Sequence, residues 1–144
     1  DLSEAELVDI AAEVVAQQIE GLIVSNTTLS RDGLTDPAAA EAGGLSGRPL
    51  FSRSTAVLAR MRKLVGPKLA IIGVGGIGGA QEAIAKIEAG ADLVQLYTAM
   101  IYEGPGLPAR IVAGLSQALD ERGAASVSEL RGTAADAWAE RPIT

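Results

Sequence analysis

An α/β fold organised around a parallel sheet is predicted by three features of this 144-residue chain. Three short apolar runs, Leu22-Ile23-Val24, Leu69 to Val74 and Leu93 to Leu96, alternate with stretches of helical spacing. Apolar residues make up 48% of the chain but aromatic ones only 3%, so the core is built from Ala, Val, Ile and Leu, as packed parallel strands and helices are. Residues 71–79, IIGVGGIGG, run from an apolar stretch into five glycines, a backbone able to turn sharply and bring N–H groups close to an anion.

The elements follow in order. Ser3 and Glu6 form a Ser-x-x-Glu capping box, and Leu7, Ile10 and Val14 recur at helical spacing, predicting a helix over 4–19 that Gly21 ends. Leu22 to Val24 is the first strand. A loop over 29–50 exceeds the usual connection, which favours a functional loop. Val57, Met61 and Leu64 mark a helix over about 53–65, and Leu69 to Val74 a second strand. Ala80, Ala83, Ile84 and Ile87 mark a helix closed by Gly90, before the third strand at Leu93 to Leu96. Tyr97 to Tyr102 is a candidate short helix. Pro108 suits a helix N1 position, and Ile111, Val112, Leu115 and Leu119 carry that helix to Gly123. Ser126-x-x-Glu129 is read as the cap of a small last turn before a polar tail.

Three strands cannot close a barrel, and an open sheet of three leaves apolar faces and edges bare. The chain is therefore expected to be the C-terminal part of a larger α/β protein, or to complete itself by pairing with another chain. It opens on Asp1-Leu2-Ser3, without an initiating methionine and without a visible signal peptide. No repeat beyond the strand–helix alternation and no low-complexity linker is evident.

Composition narrows the chemistry. Without cysteine or histidine there are no disulfides, Cys/His zinc sites, thiol nucleophiles or histidine acid–base steps. That is compatible with a cytoplasmic chain. The net charge of −6 argues against nucleic acid as a partner. Arg60, Arg62 and Lys63 are read as the solvated face of one helix. No apolar stretch approaches the roughly 20 residues of a membrane span.

The loops after the strands carry the functional signal. In a (β/α)8 barrel, ligand groups sit after the strands, and a phosphate site commonly follows strands seven and eight with the help of a short extra helix. Here consecutive strands end in Gly73-Val74-Gly75-Gly76 and Leu96-Tyr97-Thr98, so the N–H groups of Gly75, Gly76, Tyr97 and Thr98 are candidates to converge on one phosphate. Glycines that merely make tight turns are the plainer alternative. Ser25-Asn26-Thr27-Thr28, at the mouth of the first strand, suits recognition of a planar imide or carboxylate ligand but carries no base for proton transfer. An Asx-type turn is its structural alternative. In Gly43-Gly44-Leu45-Ser46-Gly47-Arg48-Pro49-Leu50 the glycines permit close approach to a flat ligand, and Arg48 is read as a loop clamp in preference to an anion partner.

Taken jointly, GLIVSNTTLSR (21–31), GGLSGRPL (43–50), IIGVGGI (71–77) and GADLVQLYTAMIYEGPGL (90–107) resemble the C-terminal half of dihydroorotate dehydrogenases, and GGLSG followed by Arg-Pro-Leu resembles the quinone-dependent class 2. The match runs through most of 1–122. Beyond it, SVSEL followed by Arg-Gly resembles the class 2 C-terminal helix, with 124–144 as a helix or tail. The resemblance implies an α/β fold, the incomplete C-terminal part of a (β/α)8 TIM barrel, in which 1–144 is a single piece of an FMN-binding domain. It implies that Ser25 contacts FMN, that Asn26 and Thr27 hydrogen-bond the dihydroorotate or orotate ring, that Gly47 lies against the flavin, and that Gly76, Tyr97 and Thr98 bind its phosphate. At the last position the family usually carries serine or another small residue; threonine keeps the hydroxyl. No residue for metal binding or catalysis is assigned.

In such enzymes a base removes the C5 proton of dihydroorotate, hydride passes from C6 to the flavin, and a quinone reoxidises it. In class 2 the base is a serine. That serine and the flavin lysine lie on N-terminal strands of the barrel. Lys63, Lys68 and Lys86 fall on or beside helices and match neither, while Asp1-Leu2-Ser3 resembles the residues just after the lysine-bearing strand. The resemblance thus implies a chain inactive by itself, which functions with a missing N-terminal segment or self-associates. The complete enzyme is expected to be cytoplasmic and peripheral on the inner face of the cell membrane. Two rivals remain: another phosphate-binding barrel enzyme, which SNTT with GGLSGRPL disfavours, and a non-catalytic, self-associating half-barrel.

Overall fold

The computed structural model describes residues 1–143. Helix α1 (Glu4–Ala16) leads into β1 (Gly21–Val24). A long loop with two short 3-10 turns then reaches α2 (Phe51–Val65), followed by β2 (Ala70–Val74), α3 (Ala80–Glu88) and β3 (Leu93–Gln95). Two helices, α4 (Thr98–Glu103) and α5 (Leu107–Arg122), and a 3-10 turn precede α6 (Ala135–Ala139). The strands form one parallel sheet in the order β1-β2-β3, with Val24 opposite Gly73 and Gly73 opposite Val94.

Every strand and helix expected from the sequence is present, with shifted ends. The Ser3–Glu6 capping box forms in both directions, at 2.8 Å from the Ser3 N–H and 3.3 Å from the Glu6 N–H. Helix α1 stops at Ala16 instead of residue 19, because Gln18 turns into left-handed backbone (φ 52°) and the Ile19 N–H returns to the Val14 carbonyl at 3.1 Å. Its end is thus set by a non-glycine residue that carries no local signal.

Alternation across the strands sends Leu22, Val24, Ile71 and Val94 toward the helices, where Leu7, Ala11, Ala56 to Ala59 and Met61 close the main core. A second cluster, Ile77, Ala83, Leu107 and Ile111, joins α3 to α5. Among the described residues no helix covers the other face of the sheet. There Ile23 and Leu93 flank Ile72 in register and remain 53% and 61% exposed.

Two expectations are overturned. The stretch read as a polar tail is packed: Trp138 meets the Phe51 ring edge-on at 5.7 Å, and Leu130 and Ile143 are buried. Ser126 caps nothing; its hydroxyl pairs with that of Ser128, while Glu129 accepts from the Ala125 N–H. The basic cluster on α2 is not a solvated face either. Arg62 is buried against Asp92, and Arg60 pairs with Glu4 while donating to the Ala139 and Arg141 carbonyls; only Lys63 is largely exposed, beside Asp136. Their common purpose is to hold the ends of the chain and the strand starts, where unpaired carbonyls and carboxylates gather.

Candidate functional site

Parallel strands deliver their C-terminal ends to the same side, so the loops after β1, β2 and β3 must meet there. They enclose a cavity of about 750 Å³, within the usual range for a small-molecule site. Its wall includes all seven residues to which the resemblance gives a binding role: Ser25, Asn26 and Thr27 after β1, Gly47 from the long loop, Gly76 after β2, and Tyr97 and Thr98 after β3; Thr28 is not on it. A second cavity of about 280 Å³ shares Ser25, Asn26 and Thr27 and extends to Asp1 and Arg53.

The loops are tied to one another. Thr28 and Leu45 exchange backbone hydrogen bonds of 3.1 and 2.8 Å, which locks the mouth of β1 to the glycine-bearing loop. The Thr98 hydroxyl donates to Ser46 at 2.9 Å, fastening that loop to the start of α4. Arg31 gathers five carbonyls, those of Thr28, Leu29, Ser30, Glu41 and Gly43. It is therefore the loop clamp. Arg48, expected in that role, stands exposed on the cavity wall, and no hydrogen bond or ion pair fixes its guanidinium among the described residues.

Two glycines are required by the geometry. Gly76 has φ +74°, and a Cβ there would lie 2.4 Å from the Phe51 Cβ and 2.5 Å from its Cα. Gly47 has φ +83°, and a Cβ would stand 3.2 Å from the Thr98 methyl. At Gly76, Tyr97 and Thr98 the backbone N–H finds no protein acceptor among the described residues. Unpaired donors on a shared wall are what an anionic group needs.

Behind the wall lies a group that the sequence reading set aside. Lys86 is fully buried, its Nζ donating to the Ser54 hydroxyl at 2.6 Å and to the Val74 carbonyl at 3.2 Å, with the Phe51 ring 5.7 Å away. Burial pushes its pKa down to about 7. The signal was available: Lys86 stands three residues after Ala83 and beside Ile87, within the apolar stripe of its helix.

Residues 1–119 match the family model described as dihydroorotate dehydrogenase. The chain belongs to the dihydroorotate dehydrogenase family. It is 62% identical over 144 residues to a dihydroorotate dehydrogenase (quinone) of Rhizobium rhizogenes, covering 99% of this chain and 40% of that protein. It is 66% identical over 139 residues to the Allorhizobium ampelinum dihydroorotate dehydrogenase (quinone), covering 96% and 38%. The ligand-free dihydroorotate dehydrogenase of Eimeria tenella superposes with a TM-score of 0.89 at 38% identity, over 99% of this chain and 38% of that one. The same enzyme in complex with ferulenol gives a TM-score of 0.88 at 40% identity, over 92% and 36%. The three-stranded α/β unit thus matches part of the dihydroorotate dehydrogenase TIM barrel, and the chain spans about 40% of the length of the curated relatives it matches. None of its helices, among the described residues, is long and apolar enough to cross a membrane.

Proposed function

We propose that these residues form the FMN- and orotate-binding portion of a quinone-dependent dihydroorotate dehydrogenase, which oxidises dihydroorotate to orotate and passes electrons through the flavin to a quinone. The observation that carries this reading is the convergence of Ser25, Asn26, Thr27, Gly47, Gly76, Tyr97 and Thr98 on one cavity. Its donor set fits the cofactor. Unpaired N–H groups at Gly76, Tyr97 and Thr98 suit a phosphate, and the glycine wall at Gly47 suits a flat ring.

When bound, the flavin supplies a hydride acceptor. The residues of this chain bind and orient. Ser25 contacts the cofactor, the Asn26 amide and Thr27 hydroxyl pair with the ring of dihydroorotate or orotate, and Gly47 admits the flavin plane. Preorganised hydrogen bonds of this kind hold the reacting carbon in place, a large share of a typical rate acceleration. The resemblance assigns the base, a serine, to an N-terminal strand of the barrel that matches none of these residues, so the 144-residue chain alone is expected not to turn over. In the complete enzyme, docking on the inner face of the cell membrane gives access to quinone.

Spectral titration tests the reading. Added FMN is expected to bind, orotate to perturb its visible absorbance, and Asn26→Ala to remove the orotate effect while leaving FMN bound. Absence of FMN binding overturns the proposal, and steady flavin reduction by dihydroorotate would contradict the assigned inactivity.

A further inference from the structure

The Gly75–Gly76 peptide is held from behind. Its carbonyl accepts from the Ser54 hydroxyl at 3.2 Å, and the Ser54 oxygen itself accepts from Lys86 Nζ at 2.6 Å. The preceding carbonyl, that of Val74, accepts directly from Lys86 at 3.2 Å. In a trans peptide the C=O and N–H point in opposite directions. Among the described residues the one cis bond is Val24–Ser25, so fixing the Gly75 carbonyl toward α2 turns the Gly76 N–H away from it. Gly75 and Gly76 line the large cavity, whereas Lys86 and Ser54 do not. That N–H has no protein acceptor among the described residues.

We propose that Lys86 is a positioning residue for phosphate binding: through Ser54 it aims the Gly76 N–H into the cavity, and its ammonium charge, set behind the glycine turn, favours a dianionic ligand group. The inference deepens the FMN reading and rests on it. The direction of the relay follows from hydrogen inventory. An ammonium can only donate, so it makes Ser54 an acceptor at one side and leaves the single Ser54 hydrogen for the Gly75 carbonyl or the Phe51 carbonyl, each at 3.2 Å. A neutral amine can accept that hydrogen instead, and the Gly75 carbonyl then loses its tether.

Among the described residues the Lys86 charge has no carboxylate partner. Nothing charged contacts Lys86 from α2, where Ser54 and Phe51 face it and Arg62 is turned to Asp92; nor from β2, which offers only the Val74 carbonyl. On α3 itself the neighbouring carboxylate, Glu82, lies one turn earlier, beside Gly79. A bound phosphate would be its first counter-charge. The free-protein pKa of about 7 would then rise on binding, so a proton is taken up above that pH. A phosphate monoester is already dianionic there, its second pKa being about 6. Affinity is therefore full below about pH 7 and falls as pH climbs toward the raised value.

Fluorescence titrations of the 144-residue chain with FMN and with riboflavin, which lacks the phosphate, test this, with folding of each variant checked by circular dichroism. The FMN Kd is expected to weaken about fivefold from pH 7 to 9, since the amine is half-protonated at pH 7 and one unit of pKa shift is a tenfold change over the whole titration, while the riboflavin Kd stays level. Lys86→Met should weaken FMN at pH 7 by about that factor and remove the pH dependence. Ser54→Ala, which keeps the ammonium, should weaken FMN less and keep the slope. A pH-independent FMN Kd in the parent chain, or equal weakening of FMN and riboflavin in the variants, overturns the inference and leaves the flavin reading standing. Failure of the parent chain to bind FMN overturns both.

Discussion

Asp92 receives Arg62 on one carboxylate oxygen, at 2.5 Å, and Arg131 on the other. The Ile71 N–H adds a third donor at 2.8 Å. Arg62 goes on to the carbonyls of Gly90, Gly66 and Leu69, each at 2.8 Å. This clamp sits at the starts of β2 and β3, the end of the sheet opposite the cavity, and it binds the tail to the sheet through Arg131.

Burial pushes the Asp92 carboxyl upward, but the Ile71 N–H and the guanidiniums of Arg131 and Arg62 outweigh it and hold the pKa below the ordinary carboxylate value. A depressed folded-state pKa gives stability that is present above the unfolded value and lost as pH falls through the folded one. Acid unfolding should therefore set in below the ordinary carboxylate range. Asp92→Asn should lower stability at pH 7 by about 3 kcal/mol, since it leaves a buried guanidinium without its counter-charge. Urea unfolding at pH 7 and in mild acid checks both, and the variant should lose part of the acid dependence.

Trp138 is the second clasp of the tail. Its ring stands edge-on to Phe51 and carries the Arg141 guanidinium 3.8 Å above its face. Phe51 in turn backs the Gly76 turn. Trp138→Ala should cost about 2 kcal/mol, less than a fully buried tryptophan because the residue is only partly buried. Thermal unfolding measures it, and an unchanged midpoint would mean that the tail is not part of the folding unit.

What the sequence made legible was whatever local pattern decides. Leu22 to Val24 and Leu69 to Val74 read as strands because parallel strands are apolar on both faces, here one packed on helices and the other, with Ile23 and Ile72, left bare. The cavity was legible because parallel strands force their following loops together, so Gly76 and Thr98 had to be neighbours in space. Interactions that depend on tertiary partners were not. Arg62 and Lys63 are adjacent in sequence, yet one is buried by Asp92 and the other faces solvent. Trp138 lies in a stretch too polar to suggest a core until Phe51 is seen beside it. Arg31 takes the clamping role expected of Arg48 because the carbonyls that Arg31 gathers come together only when the loop folds.

Gly76→Ala should be severe. A side chain at φ +74° is disfavoured by roughly 1–2 kcal/mol, and its Cβ would press on the Phe51 backbone, which begins α2 and cannot yield. The turn would have to move, taking its unpaired N–H with it. FMN affinity is expected to fall more than tenfold, with a smaller loss of thermal stability. Retained FMN affinity in a folded variant would mean that the Gly76 N–H is not used.

The open face of the sheet supplies the last test. Ile23 and Leu93 lie on it, one on each edge strand, 53% and 61% exposed with Ile72 between them. Apolar surface bounded by two free strand edges favours association, whether with further strands of a barrel or with a second copy. By itself the 144-residue chain should run above its monomer mass in light scattering at micromolar concentration. Replacing both residues, Ile23→Glu with Leu93→Glu, places like charges on the exposed face and should return it to monomer, while the helix-facing core of Val24, Ile71 and Leu58 is untouched and folding is retained. A parent chain that is strictly monomeric would show that this face needs no cover.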